Sequence, residues 1–471
     1  MRNAIVALGL ALLLAATQLP PPAGLSAHGW LVLALLVVMA FWWLTEALPV
    51  TATALLPFVV LPLGGVARLD AVAQSYMAPV IFLVLGGALV ALAMENCGLH
   101  RRIALVVVSR SSPHPRALVL SFMAATAFIS MWVSNTATAL IMMPIATAVL
   151  AVAMPPREGR SAAQRAFAAS LVLGVAYAAS IGGLGTLVGS PTNGIAVGLI
   201  DRTLGIRIGF LDWLAFGLPL VAITVPATWW LLTRVTFRYE LPDLDRERML
   251  HAIGSRGPMS TAERRLVPLL LATAAAWVAM PLLRKVPGLA AIDDSVVAIV
   301  SAMLLFVIPG DEGRRLLDWR DTARAPWDVL ILFGGGLALA AAITDTGLGA
   351  WIGLQLRALD VVPVPVLALV ATLLVIVVTE FASNVAAAAS FVPVVAGVAG
   401  AIGTEPFGLV ACAALAATWG FMMPAGTPPN AIAYGTGAVR VPEMIRAGFW
   451  VDLLGLAAIP ASVWLAIALF R

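Results

Sequence analysis

The sequence predicts an all-α integral membrane protein of about eleven membrane-spanning helices and two re-entrant helical hairpins, arranged as an inverted-topology repeat. Three observations carry this. Of 471 residues, 61% are apolar and only 11% charged, with a mean hydropathy of +1.00. A soluble chain of this length needs more polar residues to cover its surface, so lipid must cover the rest. The apolar residues come in runs of roughly 17–25, the length needed to cross ~30 Å of hydrocarbon. Landmarks in the first half recur in the second at one fixed offset.

The opening stretch, Asn3–Gln18 after Arg2, has no clear small-x-small cleavage site and reads as a first membrane helix, not a signal peptide. Further apolar segments lie near 30–47, 50–66, 79–99, 117–155, 164–200, 210–234, 264–283, 293–309, 327–356, 361–402, 408–437 and 447–469. Segments 117–155 and 361–402 are too long for one helix and too short for two spans with a loop. The first is flanked by His100–Arg116 and Arg157–Arg165, both arginine-rich, so both of its ends are expected in the cytoplasm. A segment that enters and leaves on one side is a re-entrant hairpin. Between Arg357 and Arg440 there is no Lys or Arg, so the second hairpin is expected to open outward. Threading the rest puts the amino terminus in the cytoplasm and the carboxyl terminus outside, in the cell inner (plasma) membrane. Arg284 and Lys285 fall outside, against the charge bias. The polar stretch Phe237–Arg265 divides the halves, with no soluble regulatory domain inserted. The net charge of +4 sits in these arginine clusters, read as loops and not as a nucleic-acid surface. Cys97 and Cys412 lie in apolar sequence, so no disulfide framework is expected.

From Gly86 to Pro144 the repeat keeps one spacing. Gly86 and Gly335 head matching Gly-Gly motifs, and 335 − 86 = 249. The same offset relates Gly98 to Gly347, Ser134-Asn135 to Ser383-Asn384, and Pro144 to Pro393. Inverted repeats with discontinuous helices are a recurring plan of secondary transporters, which hold substrate and ion near the bilayer midplane.

Two elements recur with chemistry attached. Ser130-x-x-x-Ser134-Asn135-Thr136 in the first hairpin matches Thr379-x-x-x-Ser383-Asn384-Val385 in the second. The run Gly182–Asn193, which contains Gly189-Ser190-Pro191, matches Met423–Asn430, which contains Gly426-Thr427-Pro428. Proline removes a donor and clashes with the preceding turn, so each helix must break there. Broken backbone at membrane depth survives only where protein or water satisfies it. The freed carbonyls can bind a cation, and the amides opening the next half-helix can meet an anion. Asn, Ser and Thr at the hairpin tips add oxygens for a hard cation and donors for a carboxylate. Neither motif holds a Lys or Arg, so bound sodium is the economical source of charge for a dianion. The bland alternative is that such residues merely pack helices together; their symmetric duplication argues against it.

At these motifs the chain resembles the divalent anion/sodium symporter family, the solute carrier family 13-like di- and tricarboxylate transporters. The likeness rests on Trp42–Pro49, the two Ser-Asn motifs, Gly189–Asn193, Met423–Gly437 and Met444–Gly448. It implies a homodimer, each protomer having a scaffold and an elevator-type transport domain. Scaffold would be 1–110 and 264–357, transport domain 111–236 and 358–471, and 237–263 a cytoplasmic connector. The resemblance implies two or more co-transported Na+ ions. One is expected near Ser130, Ser134, Asn135 and Gly189, a second near Thr379, Ser383, Asn384 and Gly426. It implies substrate carboxylates on Asn135, Thr136, Ser190, Asn384 and Thr427, with Pro428 lining the site. Val385 departs from the pattern, since a Thr is common there and Val cannot donate a hydrogen bond. Thr192, where Pro is common, is a milder departure.

Among remaining polar residues, Glu46, Glu95, Asp328 and Asp345 read as span-end carboxylates, and Glu380 as a group that orients the second hairpin or responds to protons. His28, His100, His114 and His251 fall in predicted loops. Trp30, Trp42, Trp43, Trp229, Trp230 and Trp450 read as an interfacial belt. The expected activity is sodium-coupled symport of C4-dicarboxylates such as succinate, malate or fumarate. A sodium-independent dicarboxylate exchanger, or a sulfate or citrate transporter of the same fold, is the alternative. No H-E-x-x-H or other enzymatic motif is present, so no catalytic residue is expected.

Overall fold

The structure is a computed structural model that describes residues 2–155, 157–253, 257–355, 362–401 and 406–470. Arg357, used above to orient the second hairpin, lies outside them.

Proline and small polar residues set where the helices begin. Pro79, Pro115, Pro191 and Pro428 open helices at the first turn, where the missing N–H costs nothing. Ser26, Ser161 and Ser260 cap others, the last two in capping boxes with Gln164 and Glu263. The first half runs α1 (Arg2–Gln18), α2 (Ala27–Thr45), α3 (Val50–Thr53), α4 (Leu56–Leu63), α5 (Leu69–Tyr76), α6 (Pro79–Asn96), α7 (Leu99–Ser109), α8 (Pro115–Ser130), α9 (Asn135–Ala153), α10 (Ala162–Gly183), α11 (Pro191–Leu204) and α12 (Phe210–Trp230). The connector carries α13 (Arg246–Ile253). The second half runs α14 (Thr261–Val278), α15 (Met280–Leu283), α16 (Asp294–Val307), α17 (Trp327–Asp345), α18 (Leu348–Gln355), α19 (Val364–Thr379), α20 (Asn384–Ala401), α21 (Pro406–Ala416), α22 (Pro428–Gly435) and α23 (Val441–Phe470). Among the described residues there is no strand, only one isolated bridge between Pro309 and Arg315.

Among the described residues seven helical stretches are long and apolar enough to cross a bilayer: Ala27–Thr45, Leu69–Asn96, Asn135–Ala153, Ala162–Gly183, Phe210–Thr236, Trp327–Asp345 and Val441–Ala468. The all-helical, multi-pass membrane architecture expected from composition is therefore present. α10 is 94% buried over its most apolar window, the most of the seven. It packs against α8, α9 and α12 of its own half and α22 of the other. The rest of the site is built around it.

The repeated glycines are contact points. A Cβ on Gly86 would lie 2.7 Å from the backbone of Ala298 in α16, and one on Gly335 would lie 2.2 Å from the carbonyl oxygen of Ala54, just beyond α3. Each half thus lets one long helix touch the backbone of another, as small residues do in membranes. Gly98 and Gly347 end those helices with φ of 74° and 72°, the left-handed conformation that favours glycine. The connector is fastened down: Arg102 bridges to Glu263 at 2.7 Å, and Arg116 donates to the Tyr239 carbonyl at 2.7 Å.

Two local expectations are corrected. His28, His100 and His251 lie in helices α2, α7 and α13, not loops; His100 is buried, its Nδ1 2.8 Å from the Met94 carbonyl. Trp42 and Trp43 are core residues, each 1% exposed, their indole N–H groups donating to the carbonyls of Ile5 and Val50. A hydrogen-bonded indole fits the interior as well as the interface, and α1 folds over α2 to supply the first partner.

Gly335→Ala is expected to push α17 off Ala54 and cost about 1–3 kcal/mol, as overpacking does. Gly347→Ala meets no atom within 4 Å and carries only its left-handed backbone cost, about 1–2 kcal/mol. Gly257→Ala, in open space with ordinary backbone, is the control. Thermal unfolding in detergent reads all three; an undisturbed Gly335→Ala protein would contradict the crossing.

Candidate functional site

α8 ends at Ser130 and α9 begins at Asn135, leaving a four-residue tip. Ser134 caps α9, its hydroxyl accepting from the Ala137 N–H at 3.3 Å. Ser130 Oγ lies 2.6 Å from the Ala179 carbonyl oxygen of α10 and 2.9 Å from Asn135 Oδ1. One hydroxyl hydrogen cannot serve two acceptors, so three oxygens converge here.

Four residues after Ala179, α10 stops at Gly183 and the chain stays irregular until Pro191. Asn193, in the first turn of α11, repairs the break. Its Nδ2 donates to the Gly183 carbonyl at 2.7 Å and to the Thr186 carbonyl at 2.8 Å. Thr186 Oγ1 donates to the Met131 carbonyl of the hairpin tip at 2.5 Å and accepts from Gly189 N–H at 3.1 Å. Tip and break are thus tied together. Gly189 is wedged among the carbonyl oxygens of Gly183, Ser130 and Met131, which a Cβ would meet at 2.7–3.0 Å.

The second half repeats the contacts of Ser130 and Asn193. α19 ends at Thr379 and α20 begins at Asn384. Thr379 Oγ1 lies 2.7 Å from the Ala417 carbonyl oxygen and 2.9 Å from the Asn384 amide. Asn430 Nδ2 donates to the carbonyls of Gly420 at 3.2 Å and Met423 at 3.0 Å, as Asn193 does above. Thr427 caps α22, accepting from Asn430 N–H at 3.3 Å. One terminal atom of the Asn384 amide faces Thr379 Oγ1 at 2.9 Å, Ala417 O at 3.2 Å and Gly426 O at 3.0 Å. As nitrogen it donates to that group; as oxygen it completes a ring of four oxygens of the kind a small hard cation selects. Asn430 Oδ1 beside it is buried with no protein partner.

One substitution changes how tip and break are joined. Where the first tip has Met131, the second has Glu380, fully buried at 0% exposure. Its carboxylate accepts the N–H groups of Met422 at 2.9 Å and Met423 at 2.8 Å. It joins tip to break as Thr186 does in the first half, and so orients the second hairpin.

The two constellations touch through α10. Tyr177 OH donates to the Phe421 carbonyl at 2.9 Å, and Ser180 Oγ approaches Thr427 Oγ1 at 3.4 Å. A cavity of about 250 Å³ opens beside the first constellation. It is walled by α6, by Ser134 and Thr136 of the tip, by Gly189 and Ser190 of the break, and by Glu95 and Arg324. It falls just below the ~300–1,000 Å³ of drug-sized pockets, which suits a solute of few heavy atoms. A larger hollow of about 970 Å³, lined by Phe58 and Val66–Asp70 among others, is an open surface depression holding no predicted residue.

Every predicted site residue lies within the described chain. Ser130, Ser134, Asn135 and Gly189 gather at the first tip and break, with Thr136 and Ser190 beside them. Thr379, Ser383, Asn384 and Gly426 gather at the second, with Thr427 at the start of α22 and Pro428 following it, exposed. The cavity takes its lining from the first group alone. Sequence reasoning quoted Asn193 and Asn430 without giving them a role. Their identical placement two residues beyond Pro191 and Pro428 was the available signal. Arg324 carried none, since it sits in an arginine-rich loop far from either motif.

Comparison with known proteins agrees with this geometry. A family model described as "Sodium:sulfate symporter transmembrane region" matches residues 2–470. The chain is 38% identical over 451 residues to the sodium-dependent dicarboxylate transporter SdcS of Staphylococcus aureus strain USA300, covering 94% of this chain and 87% of the relative. It is 39% identical to the SdcS of strain MRSA252 over the same length. Its fold is similar to that of the Alcanivorax borkumensis YdaH transporter, with a TM-score of 0.58 at 15% identity, covering 84% of this chain and 87% of that one. With a family match along nearly its whole length, on top of the duplicated broken-helix constellation, this chain belongs to the sodium:sulfate symporter family.

Proposed function

We propose that this protein is a sodium-coupled symporter of C4-dicarboxylates such as succinate, malate or fumarate, working in the cell's plasma membrane. The observation that carries the reading is the duplicated constellation of hydroxyl, Asn amide and freed carbonyls, built without a positive side chain. Such a site can hold a dianion only with added positive charge, and its converging neutral oxygens suit sodium. The SdcS relatives support both the ion and the cargo.

In this reading one sodium is bound by Ser130, Ser134, Asn135 and the backbone at Gly189. A second is bound by Thr379, Ser383, Asn384 and the backbone at Gly426. With both in place, Asn135, Thr136, Ser190, Asn384 and Thr427 present donors to the substrate carboxylates, beside Pro428. Sodium binding withdraws the Asn oxygens from competition and leaves their N–H groups for the anion, which makes ion and substrate mutually dependent. α8–α9 and α19–α20 are re-entrant hairpins that enter from opposite faces, completing an eleven-span inverted repeat with a cytoplasmic amino terminus and an external carboxyl terminus. Residues 111–236 and 358–471 move as an elevator against a scaffold of 1–110 and 264–357, in a homodimer, with 237–263 as connector. The repeat supports this plan, because exchange of two inverted halves interconverts inward- and outward-open forms.

Proteoliposomes are expected to accumulate labelled succinate under an inward sodium gradient. Absence of accumulation would sink the proposal, while uptake indifferent to sodium would favour an exchanger. Competition by unlabelled sulfate and citrate separates the cargo alternatives. Thr379→Val, which keeps shape and removes an oxygen, should raise the half-saturating sodium concentration about tenfold, the worth of a charge-assisted contact. An unaltered sodium curve would remove Thr379 from the ion site. Val385→Thr restores a hydroxyl at the second tip and should lower the succinate KM about two- to tenfold. An unchanged or raised KM would mean this position does not face the substrate.

A further inference from the structure

The cavity has one wall that neither motif supplies. Arg324 ends the short 3-10 turn Trp319–Arg324 and is held in place from below: Thr322 Oγ1 donates to the Trp319 carbonyl at 2.7 Å, and Trp327 Nε1 to the Thr322 carbonyl at 2.9 Å. From there its guanidinium reaches the last turn of α6, Nη2 donating to Glu95 Oε2 at 2.6 Å and Nη1 to Asn96 Oδ1 at 2.8 Å. The Arg324 side chain is 53% exposed, against 17% for Glu95. The cation therefore faces the water at the cavity mouth while its partner is largely covered.

Two of the five guanidinium N–H groups go to α6, leaving donors for another carboxylate. Arginine binds carboxylates through a flat, two-pronged face, and here one prong is on Glu95 and the other on Asn96. Repeat symmetry shows that this is an addition to the plan. The second-half counterparts of Glu95 and Asn96 are Thr344 and Asp345, since 95 + 249 = 344, and the first-half counterpart of Arg324 is Ser75, since 324 − 249 = 75. A fixed cation therefore marks one mouth of an otherwise duplicated site.

We propose that Arg324 is a second, transient carboxylate-binding point at the mouth of the cavity, where a dicarboxylate entering or leaving displaces Glu95 from the guanidinium. Exchange of one carboxylate for another keeps the guanidinium paired throughout, and the displaced Glu95, left without its partner in a largely covered position, is drawn back to Arg324 once the solute has gone. On departure Glu95 returns and Asn96 holds the guanidinium in register. The inference rests on the dicarboxylate reading above. It places the residue on the face that the arginine-rich loops assign to the cytoplasm.

Sodium-dependent succinate uptake in right-side-out and inverted membrane vesicles gives a KM for each face. Arg324→Gln should raise the ratio of cytoplasmic to external KM about tenfold, the worth of a charge-assisted hydrogen bond, and Arg324→Lys by less. Glu95→Gln, which keeps an acceptor for Arg324 but no competing charge, should lower the same ratio. Opposite signs are the signature of competition. Shifts of the same sign, equal shifts on both faces, or a shift confined to the external face overturn the proposal. Wild-type vesicles that take up no succinate overturn the dicarboxylate reading and the proposal with it, whereas active wild-type vesicles with same-sign shifts overturn the proposal alone.

Discussion

The structure depends on how two helices are allowed to break inside hydrocarbon. An unpaired peptide group there costs several kcal/mol, and each break, at 184–190 and 417–427, frees several. Asn193 and Asn430 meet that cost. One side-chain amide placed two residues beyond each proline donates to two freed carbonyls, closing the gap as a missing turn of helix would. Because the amide is consumed by the repair, the remaining carbonyls stay where the hairpin tips can share them. The same device that makes the break tolerable makes it a ligand.

The repair also explains why tips and breaks come in pairs. Thr186 ties the first tip to its break through the Met131 carbonyl, and Glu380 ties the second through two backbone N–H groups. A neutral hydroxyl suffices in one half while the other uses a fully buried carboxylate. The Met422 and Met423 N–H groups satisfy its two oxygens. The halves thus keep one geometry with unequal electrostatics, and Arg324 adds a further inequality at one mouth. A perfectly symmetric site would treat the two sides of the membrane alike. This one is built on a symmetric frame with asymmetric charges.

Most of the constellation was readable in advance because it is written twice. Four landmarks at one offset turn weak Gly-Gly and Ser-Asn signals into a strong one, and the hydrogen-bond partners of Ser130 and Thr379 then match between halves. The histidines and the Trp42–Trp43 pair were misplaced for a different reason. Hydropathy marks where apolar runs end, not whether another helix folds over those ends, and α1 covers Trp42 from 37 residues away. Arg324 was invisible because its meaning depends on a partner 229 residues distant.

By itself the sequence determined the helical class, the need for lipid, the duplication, and which residues break the helices. All of these follow from local properties: run length, proline's missing donor, and the spacing of repeated residues. Only the tertiary structure decided which carbonyls the asparagines repair, that α10 joins the two halves through Tyr177 and Ser180, and that a cavity beside the first tip ends at an arginine. Those depend on contacts between segments that no local pattern links, and packing alone brings them together.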